Sequence, residues 1–281
     1  MLRRTSIGFV LGLLLFSCGH SGTEKPVSEA HSAPPAAPPE SANAASGAPS
    51  PAAHAPGSAA TTPPGNLSAP STAAAPKAAA DLEEKLPSGV AFRQALVGGP
   101  APGPELPKGT TILHIGDSFA GALGIELNKV LEQSGVKSVL RFETSTYIPT
   151  WAHEKKLGGY LAQYKPDLVL ISLGANELQN PEPEKRIPLI HKLTERLGNR
   201  QCVWVAPVLW EGASPKLLDV IRANVAPCIY LDSNAFITHM PRARDKIHPS
   251  MDARPDWAKV ISRWLAYHRT PTAERPWSLS E

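Results

Sequence analysis

Four residues carry the chemistry this sequence offers. Ser118 lies in Gly116-Asp117-Ser118-Phe119-Ala120-Gly121, Asn176 in Gly174-Ala175-Asn176-Glu177, and Asp245 and His248 in Asp245-Lys246-Ile247-His248-Pro249. A serine hydroxyl is inert as a nucleophile until a base takes its proton. His248 has a carboxylate three residues before it, and within one turn that spacing lets Asp245 hold Nδ1–H while Nε2 accepts the serine proton. The side-chain amide of Asn176, beside the Ser118 N–H, is placed to donate to a tetrahedral oxyanion, a contact worth about 10²–10³ in rate. Each motif also has an ordinary structural reading: Ser118 as a helix N-cap, Asn176 as a turn residue, Asp245 and His248 as a helix cap or a surface pair.

The elements around these motifs decide whether they can meet. Apolar runs of strand length, Thr111–Ile115, Ser138–Phe142, Asp167–Leu173, Cys202–Ala206 and Cys228–Leu231, alternate with stretches of helical period such as Phe119, Leu123, Leu127, Val130 and Leu131. Strands separated by helices need crossover connections, so the expectation is a five-stranded parallel sheet covered on both faces, a three-layer α/β/α, flavodoxin-like domain. Such sheets bind ligands beyond the carboxyl ends of their strands. The motifs follow the first, third and fifth runs, where the chemistry of such a sheet belongs. A stripe of Trp257, Val260, Ile261, Trp264 and Leu265 marks a final core-facing helix.

Taken together and in this order, the three motifs resemble those of the SGNH/GDSL hydrolase family, over about Thr110 to His268. The resemblance implies a serine ester hydrolase working through an acyl-serine intermediate, with Ser118, His248 and Asp245 catalytic, Asn176 and the Ser118 N–H in the oxyanion hole, and neither cofactor nor metal. By analogy the substrate is an O-acyl ester, such as an acetyl ester of cell-envelope carbohydrate. Acyl transfer to a sugar hydroxyl uses the same residues, and a non-catalytic tethered glycan-binding module is the competing class. The sequence departs from the family pattern twice. Glu177 stands where Asp is usual, and Glu143-Thr144-Ser145-Thr146-Tyr147 lacks the glycine whose N–H the family offers, leaving Ser145 or Thr146 for that role. Trp151 and Trp210, just past strand ends, are candidates to stack on a sugar ring, with a structural role as the alternative.

The remainder of the chain reads as address and tether. Met1 to Cys18 has Arg3 and Arg4 before an apolar run from Ile7 to Phe16, of signal-peptide length and too short for a bilayer span. It ends in Leu15-Phe16-Ser17-Cys18, resembling a bacterial lipobox, which implies a lipid anchor at Cys18 in the bacterial cell envelope, at the outer membrane. An ordinary secretory signal is the alternative. Among 281 residues there are 30 prolines, concentrated toward the N-terminus in Pro-, Ala- and Ser-rich sequence that cannot bury a core, so residues 19–105 are expected to form a disordered linker, with Asp81 to Val97 as a short helix. Residues 106–269 are then the domain and 270–281 a tail. Without Cys18 the cysteines are Cys202 and Cys228, each opening an apolar run; in an oxidising compartment a disulfide is expected, two buried thiols being the alternative. With 28 Lys+Arg against 25 Asp+Glu and no basic stripe, nothing points to nucleic acid.

Overall fold

The computed structural model describes residues 82–99 and 103–280. The signal segment, Cys18 and most of the expected linker lie outside the described residues. In chain order the elements are β1 (Glu83–Lys85), β2 (Ala91–Arg93), β3 (Thr111–Gly116), α1 (Ser118–Gln133), β4 (Lys137–Phe142), α2 (Ile148–His153), α3 (Lys156–Tyr164), β5 (Leu168–Ser172), α4 (Ile187–Leu197), β6 (Gln201–Val205), α5 (Lys216–Asn224), β7 (Ile229–Leu231), α6 (Ser233–Phe236), β8 (Ile237–His239) and α7 (Ala253–His268). One-turn 3₁₀ helices cover Gln94–Val97, Ala175–Glu177 and Pro183–Arg186.

Five strands form a parallel sheet in the order β4-β3-β5-β6-β7, the expected three-layer architecture. Its strands read as near-continuous apolar runs because both faces are covered. Alternate side chains separate the two layers. Ile112, Leu168, Leu170, Val203 and Val205 join the core beneath α1 and α7, whereas Leu113, Ile115, Val169, Ile171 and Trp204 join the core beneath α2, α3, α4 and α5. Strand order reverses at β3, which has β4 on one side and β5 on the other. The carboxyl end of β3 is therefore the crevice where ligands of such sheets bind.

Three segments differ from the sequence expectation. Residues 83–97, expected as linker with a short helix, instead supply β1, β2 and a 3₁₀ turn, and β1-β2-β8 form a second, antiparallel sheet. Phe92 is buried against the main core, and its strand pairs with one far away in sequence, which local periodicity cannot register. The same pairing inserts α6 and β8 between β7 and the loop carrying Asp245 and His248. Residues 270–280 are not a bare tail either. Trp277 is fully buried, its indole N–H donates to Thr110 Oγ1 at 2.9 Å, and Thr270 N–H bonds Ser278 O at 2.8 Å.

Cys202 and Cys228 are joined by a disulfide, with Cα atoms 4.7 Å apart. Lying at or just before the starts of the adjacent strands β6 and β7, they cross-link residues 26 apart, a loop whose closure constrains the unfolded chain by about 3.5 kcal/mol. The bridge lies at the amino ends of the strands, opposite the crevice. Among the described residues no helix is long and apolar enough to cross a membrane.

Candidate active site

Three strand-end loops converge beside Ser118. Gly116 is the last residue of β3, paired with Phe142 of β4 and Ser172 of β5. Its φ is +153°, and a Cβ there would stand 1.9 Å from Ser172 O, so only glycine lets the chain turn this close to its neighbour. Asp117 N–H then donates to Ser172 O at 3.1 Å, and Glu143 N–H to Gly116 O at 3.0 Å, binding the loops after β5 and β4 to the turn. Asp117 is the N-cap of α1, its Oδ1 accepting from Phe119 N–H at 2.8 Å. Burial pushes the Asp117 carboxyl up to about 7, against the backbone N–H groups of Phe119, Ala175 and Gly174. Ser118 is thus the first residue of α1, with an N–H that has no intrahelical acceptor and a hydroxyl at the surface of the crevice.

The third motif is brought to this hydroxyl by a tight loop. Ala243 N–H bonds His248 O at 2.8 Å, Ser250 N–H bonds Pro241 O at 2.9 Å, and Lys246 takes the left-handed conformation (φ +61°) that turns the chain. Arg242 fastens the loop to the segment after β6, donating to Ile247 O at 2.8 Å and to the carbonyls of Val208 and Leu209 at 3.0 and 2.6 Å. Burial lowers its guanidinium to about 10.

Within this frame Asp245 Oδ2 lies 2.8 Å from His248 Nδ1, and His248 Nε2 lies 2.8 Å from Ser118 Oγ. A carboxylate can only accept, so the proton belongs on Nδ1 and Nε2 faces the hydroxyl as acceptor. Oδ1 of Asp245 accepts from the N–H groups of Ile247 and His248 at 2.9 and 3.0 Å. The imidazole first, then these backbone bonds, hold the Asp245 carboxyl down to about 2. Beneath the imidazole the Phe119 ring lies 5.3 Å away, flanked by Trp210 at 5.8 Å and Trp257 at 6.4 Å.

Asn176 and Ser145 stand on the other side of the crevice, both exposed. Asn176 donates one amide hydrogen to Thr146 O at 2.8 Å, leaving its second free. Ser145 has φ +59°, the left-handed conformation that glycine favours, so the loop makes without glycine the turn for which glycine is the usual residue. Trp151 is buried and its indole donates to Thr146 Oγ1 at 3.0 Å. It braces this loop and is not available to a sugar ring. Trp210 is half-buried against Phe119, whose ring also lies under His248.

Reading the motifs alone did not find Arg242 or the ion pair of Glu177 with Arg186, and it offered Thr146 as a donor where the structure has its carbonyl accept from Asn176. Glu177 adjoins Asn176 and is buried, its Oε2 accepting from Ile148 N–H at 2.7 Å and its Oε1 from Arg186 Nε. Its departure from the family pattern was the available signal. Among the described residues no three His, Cys, Asp or Glu side chains gather as a metal site would require.

No family model matches the chain, and no curated protein matches it at a significant level. Among solved structures it is similar to a protein named TesA, at 21% sequence identity over 55% of this chain and 97% of that one, with a TM-score of 0.44. It is also similar to a family 3 carbohydrate esterase of Clostridium thermocellum, at 18% identity over 55% of this chain and 94% of that one, TM-score 0.45. A third is a catalytic mutant of Axe2, an acetylxylan esterase from Geobacillus stearothermophilus, at 17% identity over 57% of this chain and 95% of that one, TM-score 0.42.

Proposed function

We propose that this protein is a serine ester hydrolase acting through an acyl-serine intermediate. The observation that carries the reading is the unbroken chain from the Asp245 carboxylate through both nitrogens of His248 to the Ser118 hydroxyl, with each link at 2.8 Å. Ser118 Oγ attacks the ester carbonyl carbon as Nε2 takes its proton; the carbonyl oxygen becomes an oxyanion facing the N–H groups of Ser118 and Ser145 and the free amide hydrogen of Asn176. Collapse of the adduct breaks the C–O bond to the alcohol, which leaves with the proton from His248. Water, deprotonated by His248, then attacks the acyl-serine and regenerates Ser118.

The proposed substrate is an O-acyl, specifically acetyl, ester of cell-envelope carbohydrate. The resemblance of the motifs supports it, together with a proposed location in the bacterial envelope through a lipid on Cys18. Replacement Cys18→Ser should move the protein from the membrane fraction to the soluble fraction with turnover unchanged; retention in the membrane would remove the lipid anchor from this account.

The pH profile tests the mechanism. Turnover of a chromogenic acetyl ester requires the neutral imidazole, because imidazolium cannot accept from Ser118, and should therefore show an acid limb. Asp245, held down to about 2, stays ionised throughout and contributes nothing to that limb. Asp117, pushed up to about 7, also titrates but bonds the α1 backbone. Asp117→Asn keeps that acceptor, and the acid limb should remain in it. A flat profile, or a limb that vanishes with Asp117→Asn, would remove His248 as the base.

A further inference from the structure

The oxyanion side of the crevice hangs on one loop, 143–148, and its far end is held by an ion pair between Glu177, the last residue of the second motif, and Arg186, which lies outside all three. Two of the three proposed donors depend on the loop's position. The Ser145 N–H belongs to it, and the Asn176 amide is aimed by the hydrogen bond it gives to Thr146 O. Local bonds shape the turn: Thr146 Oγ1 donates to Glu143 O at 2.7 Å, and Trp151 Nε1 to Thr146 Oγ1 at 3.0 Å. These bonds lie within residues 143–151; Glu143 N–H ties the near end of the loop to Gly116 O at 3.0 Å, and the far end, at 148, is held separately.

Glu177 fixes that far end. Its carboxylate reaches from the loop after β5 to the first N–H of α2, at Ile148, one of the N–H groups that have no intrahelical acceptor. The side chain is 2% exposed, and its other oxygen is occupied by Arg186, which is 25% exposed and sits on the 3₁₀ turn before α4. Residues 176 and 177 therefore grip the same loop at 146 and 148, one through an amide donor and the other through a carboxylate acceptor. A charge this buried needs its partner, and Arg186 supplies it and fixes the carboxylate in direction.

We propose that Glu177, locked by Arg186, is a positioning residue for the oxyanion hole: it sets the 143–148 loop so that the Ser145 N–H and the free amide hydrogen of Asn176 point at the developing oxyanion. The proposal rests on the ester-hydrolase reading above. It touches the transition state and not ground-state binding, so its mark is on kcat with KM and the His248 limb unmoved.

The test uses the full chain and a chromogenic acetyl ester, measured well below the unfolding temperature. The pair Glu177→Met/Arg186→Met removes the tie and both charges together, avoiding an orphaned buried ion. Its kcat should fall by about 10- to 100-fold, with KM within about twofold and the acid limb in place. The pair Glu177→Gln/Arg186→Met restores an acceptor for Ile148 N–H and should return kcat to within about threefold of the parent. Were the Met pair not to fold, Glu177→Asp, which keeps the charge but withdraws the carboxylate by one methylene, carries the same expectation of lost kcat. A merely structural pair would lower the thermal midpoint of these variants and leave kcat alone. Unchanged kcat, or a displaced acid limb, would overturn the proposal while the esterase reading stood. A parent chain that neither turns over esters nor is labelled by a fluorophosphonate at Ser118 would overturn both, and that result is read in the parent before any variant is made.

Discussion

Ser118→Ala and His248→Ala should each lower turnover of an acetyl ester by about 10³-fold or more, and the double variant should be scarcely worse than either. The expectation follows from the single hydrogen bond of 2.8 Å that joins them. Without the hydroxyl the imidazole has no proton to take, and without the imidazole the hydroxyl keeps its proton at neutral pH. The losses are one loss counted twice. Fluorophosphonate labelling of the full chain, with mass spectrometry to locate the adduct, reads the same coupling without a substrate in hand. The adduct should sit on Ser118 and should be absent from His248→Ala. Losses that multiply, or labelling indifferent to His248, would mean the two residues act separately, and the hydrogen bond would be only a contact between neighbours. A folded chain that takes no label would move the function to the competing class, a tethered glycan-binding module. Neither substitution should cost much stability, since Ser118 is half-exposed and the hydroxyl makes no bond to the core.

What could be read from the sequence was whatever depends on close spacing. Asp245 and His248 lie three residues apart, and their bond forms within one loop regardless of the rest of the fold. The parallel sheet was equally legible, because each strand is a continuous apolar run between helices of clear period. The meeting of Ser118 with His248, 130 residues later, was expected because both were read as following strand ends and because the motifs together resemble a known set. Bonds with no such rule behind them were invisible. Glu177 and Ile148 are 29 residues apart and Trp277 and Thr110 are 167 apart; nothing in the local pattern of either member announces its partner. The strands β1, β2 and β8 have three residues each, too few for alternation to be distinguished from chance. Ser145 shows the limit from the other side. Glycine is the residue that announces a positive φ, and here serine adopts it because the bonds at Thr146 and Ile148 fix the loop around it.

Asn176→Ala is the second large effect. Asn176 is exposed at the crevice, follows the strand adjacent to the one that ends at Gly116, and commits one amide hydrogen to Thr146 O. That bond fixes which side of the amide faces the loop, so the remaining hydrogen points away from Thr146. Loss of one such preorganised donor costs about 10²–10³ in kcat, because the oxyanion exists only in the transition state and the adduct that follows. KM should barely change and the acid limb should stay in place, since neither the base nor its proton is touched. Asn176→Asp makes the sharper comparison. It is nearly the same shape, but an ionised carboxylate would face both Thr146 O and the oxyanion with negative charge, so its loss should equal or exceed that of the alanine variant. Phosphonylation by the fluorophosphonate develops negative charge on the phosphoryl oxygen, and its rate should fall in parallel with kcat. If both variants kept kcat within about tenfold, the oxyanion would be served by backbone N–H groups alone, and the bond to Thr146 O would be the whole of what Asn176 does.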